Sequence, residues 1–204
     1  MAIDKGWVNV LQQTLDEQNS PYTLINKSIS GDTTAGGLAR IDKALEQYKP
    51  EIVLLELGAN DGLRGMPPVL IKQNLRKLIH RIQETGAGVL LLSMRIPSNY
   101  GKRYTDMFYN NYPDLAEEME IPFVPFILED VALAQDMMQS DGLHPNEKAQ
   151  PLIADKVWEH LHPLLTNKNW ATKILRWNSV IAQLPSYSMD NTWTGLKVAL
   201  LRYC

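Results

Sequence analysis

The sequence predicts an α/β fold, a parallel sheet with helices on both faces. Three observations carry this. Short continuous apolar runs, EIVLLEL at 51–57 and GVLLLSM at 88–94, read as strands buried on both sides. Segments with apolar residues at helical spacing alternate with such runs. Loops marked by Gly and Pro separate each strand from the helix after it. In sheets of this kind ligands sit in the crevice outside the carboxyl ends of the strands.

The elements follow in order. Trp7, Val10, Leu11 and Leu15 define the apolar face of an opening helix. YTLINKSI at 22–29 reads as a strand, SGDTTAGG at 30–37 as a turn, and LARIDKALEQYKP at 38–50 as a helix ended by Pro50. After the strand at 51–57 come the loop GANDGLRGMPP at 58–68, a long helix stopped by glycine near 86–88, and the strand at 88–94. Beyond RIPSNYGKR at 95–103, a helical stretch over 104–121 is expected to break at Pro113. PFVPFI at 122–127 reads as a short strand. A last helix over 145–165 carries Ile153, Val157 and Leu161 on one side.

A chain of 204 residues with 45% hydrophobic content can bury one substantial core. Residues 1–170 are expected to form a single domain. From Ala171 to Cys204 lies an atypical tail, basic where the body is acidic. The formal net charge of -3, with both signs interspersed, offers no field for a phosphate backbone, so no nucleic-acid partner is expected. No apolar run approaches the roughly 20 residues of a membrane-spanning helix. MAIDKGWVNVLQQTL reads as an amphipathic helix rather than an export leader, which leaves the compartment open. The one cysteine, Cys204, supports neither a disulfide nor a Cys-based zinc site.

Chemistry gathers in the loops. In QSDGLHPN at 139–146, Asp141 is close enough in sequence to His144 to hold its Nδ1 proton and leave Nε2 as a general base. By itself such a pair is more often a surface turn. Gly31 would let a substrate oxygen approach backbone N–H, and Asn60, after Gly58, could donate its side-chain amide to a developing oxyanion. A turn glycine and a turn-capping Asn are the plain alternatives. Three loops with complementary parts for acyl transfer are harder to dismiss than any one. Met66 and Pro67 could wall an acyl chain, although loop stiffening explains the proline equally well. Arg95, Lys102 and Arg103 could attract an anionic group, or simply be solvated. His80, His160 and His162 read as helix-surface residues.

The stretches NKSISGDTTAGGLARI, VLLELGANDGLRG, RIPSNYGKRY and DGLHPNEKAQPLIAD closely resemble the SGNH (GDSL) hydrolases, in their bacterial thioesterase, lysophospholipase and arylesterase branch. The resemblance runs from Met1 to about Leu165. It implies a flavodoxin-like three-layer α/β/α sandwich, Gly31 and Asn60 as oxyanion-hole donors, and Asp141 and His144 as members of a Ser-His-Asp triad. It also implies no metal or cofactor, and hydrolysis of short- to medium-chain acyl esters and thioesters through an acyl-serine.

One departure matters. The family carries its serine in a Gly-Asp-Ser motif after a first strand, and this chain starts beyond that point. The tail offers a replacement: Ile174 and Leu175 precede Asn178 and Ser179, and MDNTWTGLKVALL loosely resembles the opening helix. If the tail inserts the strand at 174–175 into the vacant sheet edge, in its own chain or in a second copy of a homo-oligomer, Ser179 becomes the nucleophile. The competing expectations are a tail that merely covers the edge, and a fold without nucleophile that only binds acyl groups or is an inactive product.

Overall fold

The computed structural model describes residues 6–166 and 196–202. Five strands form one parallel sheet in the order β1-β5-β2-β3-β4. They are β1 (Tyr22–Asn26), β2 (Ile52–Glu56), β3 (Gly88–Leu92), β4 (Phe123–Val124) and β5 (Leu196–Arg202). Among the described residues six α-helices accompany them: α1 (Trp7–Glu17), α2 (Thr34–Tyr48), α3 (Ala59–Leu63), α4 (Pro68–Glu84), α5 (Lys102–Glu118) and α6 (Gln150–Thr166). Packing of α1 on α6, and of α4 on both α2 and α5, covers the sheet with two groups of helices. Every residue of β2 and β3 is buried, which is why those strands read as unbroken apolar runs.

Local chemistry sets most of the boundaries. Thr33 accepts a hydrogen bond from the Gly36 N–H and so starts α2 inside the stretch expected to be a turn. Lys49, in the left-handed region, ends the same helix just before Pro50. Pro68 opens α4, where its missing N–H costs nothing, and Ile71, Leu75, Leu78, Ile79 and Ile82 bury its inner face. The expected loop at 58–68 contains the short helix α3. The expected break at Pro113 does not occur, because α5 runs through it while Phe108, Tyr112 and Leu115 hold both sides of the proline in the core.

The tail enters the sheet through Leu196–Arg202, while the strand expected at Ile174–Leu175 and, with it, Ser179 lie outside the described residues. β5 differs from expectation in taking an interior place between β1 and β2 rather than an edge. The pairing runs from Tyr22 opposite Leu196 to Asn26 opposite Leu200, and from Ile52 opposite Val198 to Glu56 opposite Arg202. Val198 is fully buried there. Burial of a valine side chain alone is worth about 1.5–3 kcal/mol, and an interior place satisfies the backbone of β5 on both sides. An apolar segment therefore gains more between two strands than it would at an edge.

Candidate active site

All strands being parallel, the loops after β1, β2, β3 and β4 share one end of the sheet. That end holds the candidate residues of all four loops, while Ser179 lies outside the described residues.

Asp141 and His144 form a hydrogen-bonded pair, with Asp141 Oδ2 2.7 Å from His144 Nδ1. The other carboxylate oxygen accepts the backbone N–H groups of Leu143 at 2.9 Å and His144 at 3.1 Å. These bonds, above all the one with His144, pull the carboxyl down to about 2. Asp141 therefore stays ionised, holds the imidazole by Nδ1 and directs Nε2 as the basic nitrogen. Gly142, at φ +65°, supplies the left-handed turn that folds the carboxylate back over the two N–H groups. Gln139 N–H donates to the His144 carbonyl, and the Asn146 side chain donates to the Asp136 carbonyl. Buried Gln150 accepts from the Trp7 N–H at 2.8 Å, which fastens the base of this loop to α1.

The other two loops meet directly. Asn60 is nearly buried at the start of α3, and its Nδ2 donates to the Asp32 carbonyl at 2.7 Å. One amide hydrogen is thus committed, which fixes the direction of the second. Gly31 lies one residue before Asp32 with φ +74° and open space where a Cβ would be, so conformation rather than crowding calls for glycine. Arg40 clamps Asp32 (Nε to Oδ2, 2.8 Å) and the Lys27 carbonyl (2.7 Å), while Arg64 donates to the Gly31 carbonyl at 3.2 Å. Gly58, at φ +114°, turns β2 into α3 where a Cβ would stand 2.6 Å from the Tyr112 hydroxyl. That hydroxyl donates to the Leu57 carbonyl, and burial pushes its pKa well up, so it remains a donor.

Met66 is half-buried and Pro67 exposed. The Tyr104 hydroxyl holds the Met66 carbonyl at 2.6 Å, and Val69, Leu70 and Met107 lie exposed along α4 and α5. Arg95 stacks its guanidinium over the Tyr109 ring at 3.7 Å. Among the described residues no three of His, Asp, Glu or Cys converge as a metal-ligand set. None of their helices is long and apolar enough to cross a membrane. A cavity of about 670 Å³ opens at the opposite, amino end of the sheet between the last turns of α2 and α4. Its charged wall includes the Arg81–Asp42 ion pair and holds neither the dyad nor the amide donors.

Sequence reasoning did not find the residues that brace these loops: Arg40, Asp61, Thr34, Asn74, Tyr104 and Tyr112. Each acts on a partner eight or more positions away in the chain, and no local pattern marks such pairs.

Residues 2–151 match the model of the GDSL-like lipase/acylhydrolase family. The chain belongs to that family. It is 51% identical over 161 residues, 79% of this chain and 80% of the other, to the arylesterase of Vibrio mimicus. It is 43% identical over 167 residues, 82% and 79% of the two chains, to thioesterase 1/protease 1/lysophospholipase L1 of Escherichia coli K12. Among solved structures it is similar to the psychrotrophic esterase EstA from a Pseudoalteromonas species, inhibited by monoethylphosphonate. That likeness has a TM-score of 0.77 and 44% identity, and covers 80% of this chain and 90% of that one.

Proposed function

We propose that this chain hydrolyses short- to medium-chain acyl esters and thioesters through an acyl-enzyme. The 2.7 Å Asp141–His144 pair, at the same end of the sheet as the Asn60 amide, is the observation that carries the reading. In the mechanism, a serine hydroxyl attacks the acyl carbonyl while His144 Nε2 takes its proton. Asn60 Nδ2–H and Gly31 N–H bind the oxyanion. His144 then returns the proton to the departing alcohol or thiol. Water attacks the acyl-enzyme with His144 again as base, releasing the acid and restoring the hydroxyl. Met66, Pro67 and Gly58 border the space for the acyl chain. The arylesterase, esterase and thioesterase relatives support this over a fold that merely binds acyl groups.

The serine assigned to the attack is Ser179, outside the described residues. A strand of one chain seated in the sheet of a second copy is the other arrangement that the place of β5 admits, and specific activity rising with protein concentration is its signature.

The test is hydrolysis of a short-chain p-nitrophenyl ester, with fluorophosphonate labelling and mass mapping of the whole chain. Expected are turnover and a label on Ser179, both suppressed by His144→Ala. A Ser179→Ala variant with full activity removes Ser179 from the mechanism, and a folded wild-type chain with neither turnover nor label removes the hydrolase reading.

A further inference from the structure

Asp61 is fully buried, yet it is a carboxylate next to the donor that must stabilise an anion. Burying such a group is costly unless its charge is well paired, and a negative charge beside an oxyanion opposes catalysis. Its partners are in α2. Oδ2 accepts the Thr34 N–H at 2.9 Å, and Oδ1 accepts the Thr34 hydroxyl at 2.5 Å. Thr34 is the first residue of α2, so the carboxylate caps a helix N-terminus, where the helix dipole offsets its charge. Asn74 of α4 donates to the same hydroxyl at 3.0 Å and completes the network.

The geometry points to Asp61 as a positioning residue for the oxyanion hole. Adjacent residues of α3 grip the same short segment: Asn60 holds the Asp32 carbonyl, and Asp61 holds Thr34 two residues later. Two bonds from neighbouring residues to neighbouring residues leave the segment no freedom to pivot about either. Asp61 thereby sets the direction of the free Asn60 amide hydrogen and its spacing from Gly31. This assignment rests on Asn60 being an oxyanion donor.

The test is the Asp61→Asn variant of the full chain, measured with and without Asn60→Ala. The oxygen of the introduced amide can still accept the Thr34 N–H, but its NH2 stands where Oδ1 accepted the Thr34 hydroxyl, so that O–H loses its acceptor and one half of the clamp is lost. A small displacement of a catalytic donor can cost up to roughly 100-fold in turnover. Expected for Asp61→Asn is a loss of about tenfold or more in kcat with KM within about twofold, and almost no further loss in the Asn60→Ala background. Equal losses in both backgrounds, or kcat unchanged or raised in the single variant, overturn the assignment, as does full turnover in Asn60→Ala alone. The side-chain amide resonances of Asn60 in the folded chain give a readout independent of turnover. They are expected to move in Asp61→Asn; if they stay fixed the assignment fails, whereas movement in a chain with no turnover faults the hydrolase reading only. If Asp61→Asn does not fold, Thr34→Val is read the same way, with Thr34→Ser expected to restore the wild-type values.

Discussion

The two halves of the proposed site are built on different plans. The dyad loop is local: Asp141 reaches His144 three positions on, and its other contacts span two or three residues. The proposed oxyanion block is long-range, since Asn60 reaches back 28 positions to Asp32, Asp61 27 to Thr34, and Arg64 33 to Gly31. The dyad loop is also exposed, whereas Asn60 and Asp61 are almost or wholly inside. A proton shuttle needs two groups held to each other and tolerates solvent. A hole that binds a transient charge needs donors fixed in space before that charge forms.

Substitutions at the two halves should therefore fail differently, and the largest effects belong to the dyad. His144→Ala removes the base outright, and ester turnover should fall on the order of 10⁶-fold with the folded structure unchanged by circular dichroism. Asp141→Asn keeps the shape but releases the tautomer, with an expected loss on the order of 10⁴-fold in kcat. Asn60→Ala, which deletes one oxyanion donor, should cost roughly 100- to 1,000-fold in kcat with little change in KM. Losses at Asp141 no larger than at Asn60 would break the assignment of the pair as a base and its orienter.

Glycines sharpen the same contrast on stability. Gly58 and Gly142 both have positive φ, but only at Gly58 does a Cβ meet another atom, the Tyr112 hydroxyl. Gly58→Ala adds a steric clash of about 1–3 kcal/mol to the left-handed strain. Gly142→Ala should cost only that strain, about 1–2 kcal/mol. Denaturant titration of the two variants checks the order. The smallest effect is on acid stability. Asp141 titrates near 2 in the folded chain, below its ordinary 3.8. Its contribution is complete above about pH 4 and disappears as pH falls through about 2. The stability gap between wild type and Asp141→Asn should close over that window; a gap of constant size would show that the carboxylate is not specially held.

The same division decided what the sequence disclosed. Asp141 and His144 are neighbours, so their pairing was suggested by spacing, although spacing alone fits a surface turn as well and the other loops were needed to favour chemistry. Gly31 and Asn60 were readable as residue types at strand ends. The braces were not, because Thr34 looks like a turn residue until Asp61 is brought to it, and Arg40 is an ordinary helix arginine until Asp32 is. Continuous apolar character revealed β2 and β3. The tail misled in one respect: MDNTWTGLKVALL resembles the opening helix, but LKVALLR is a strand, because an extended segment can pair with β1 and β2 together; the strand expected at Ile174–Leu175 lies outside the described residues.

The interior place of β5 has a consequence for how the protein is made. Synthesis runs from the amino end, so the other four strands and the six helices described leave the ribosome before β5 does. Until it arrives, β1 and β2 have no strand between them, and each presents an open ladder on the side that will become the middle of the sheet. Pairing across 174 positions, from Tyr22 to Leu196, closes that gap last. The nascent chain must therefore wait with the Gly31 and Asn60 loops unspaced, exposed to aggregation for as long as translation of the tail takes.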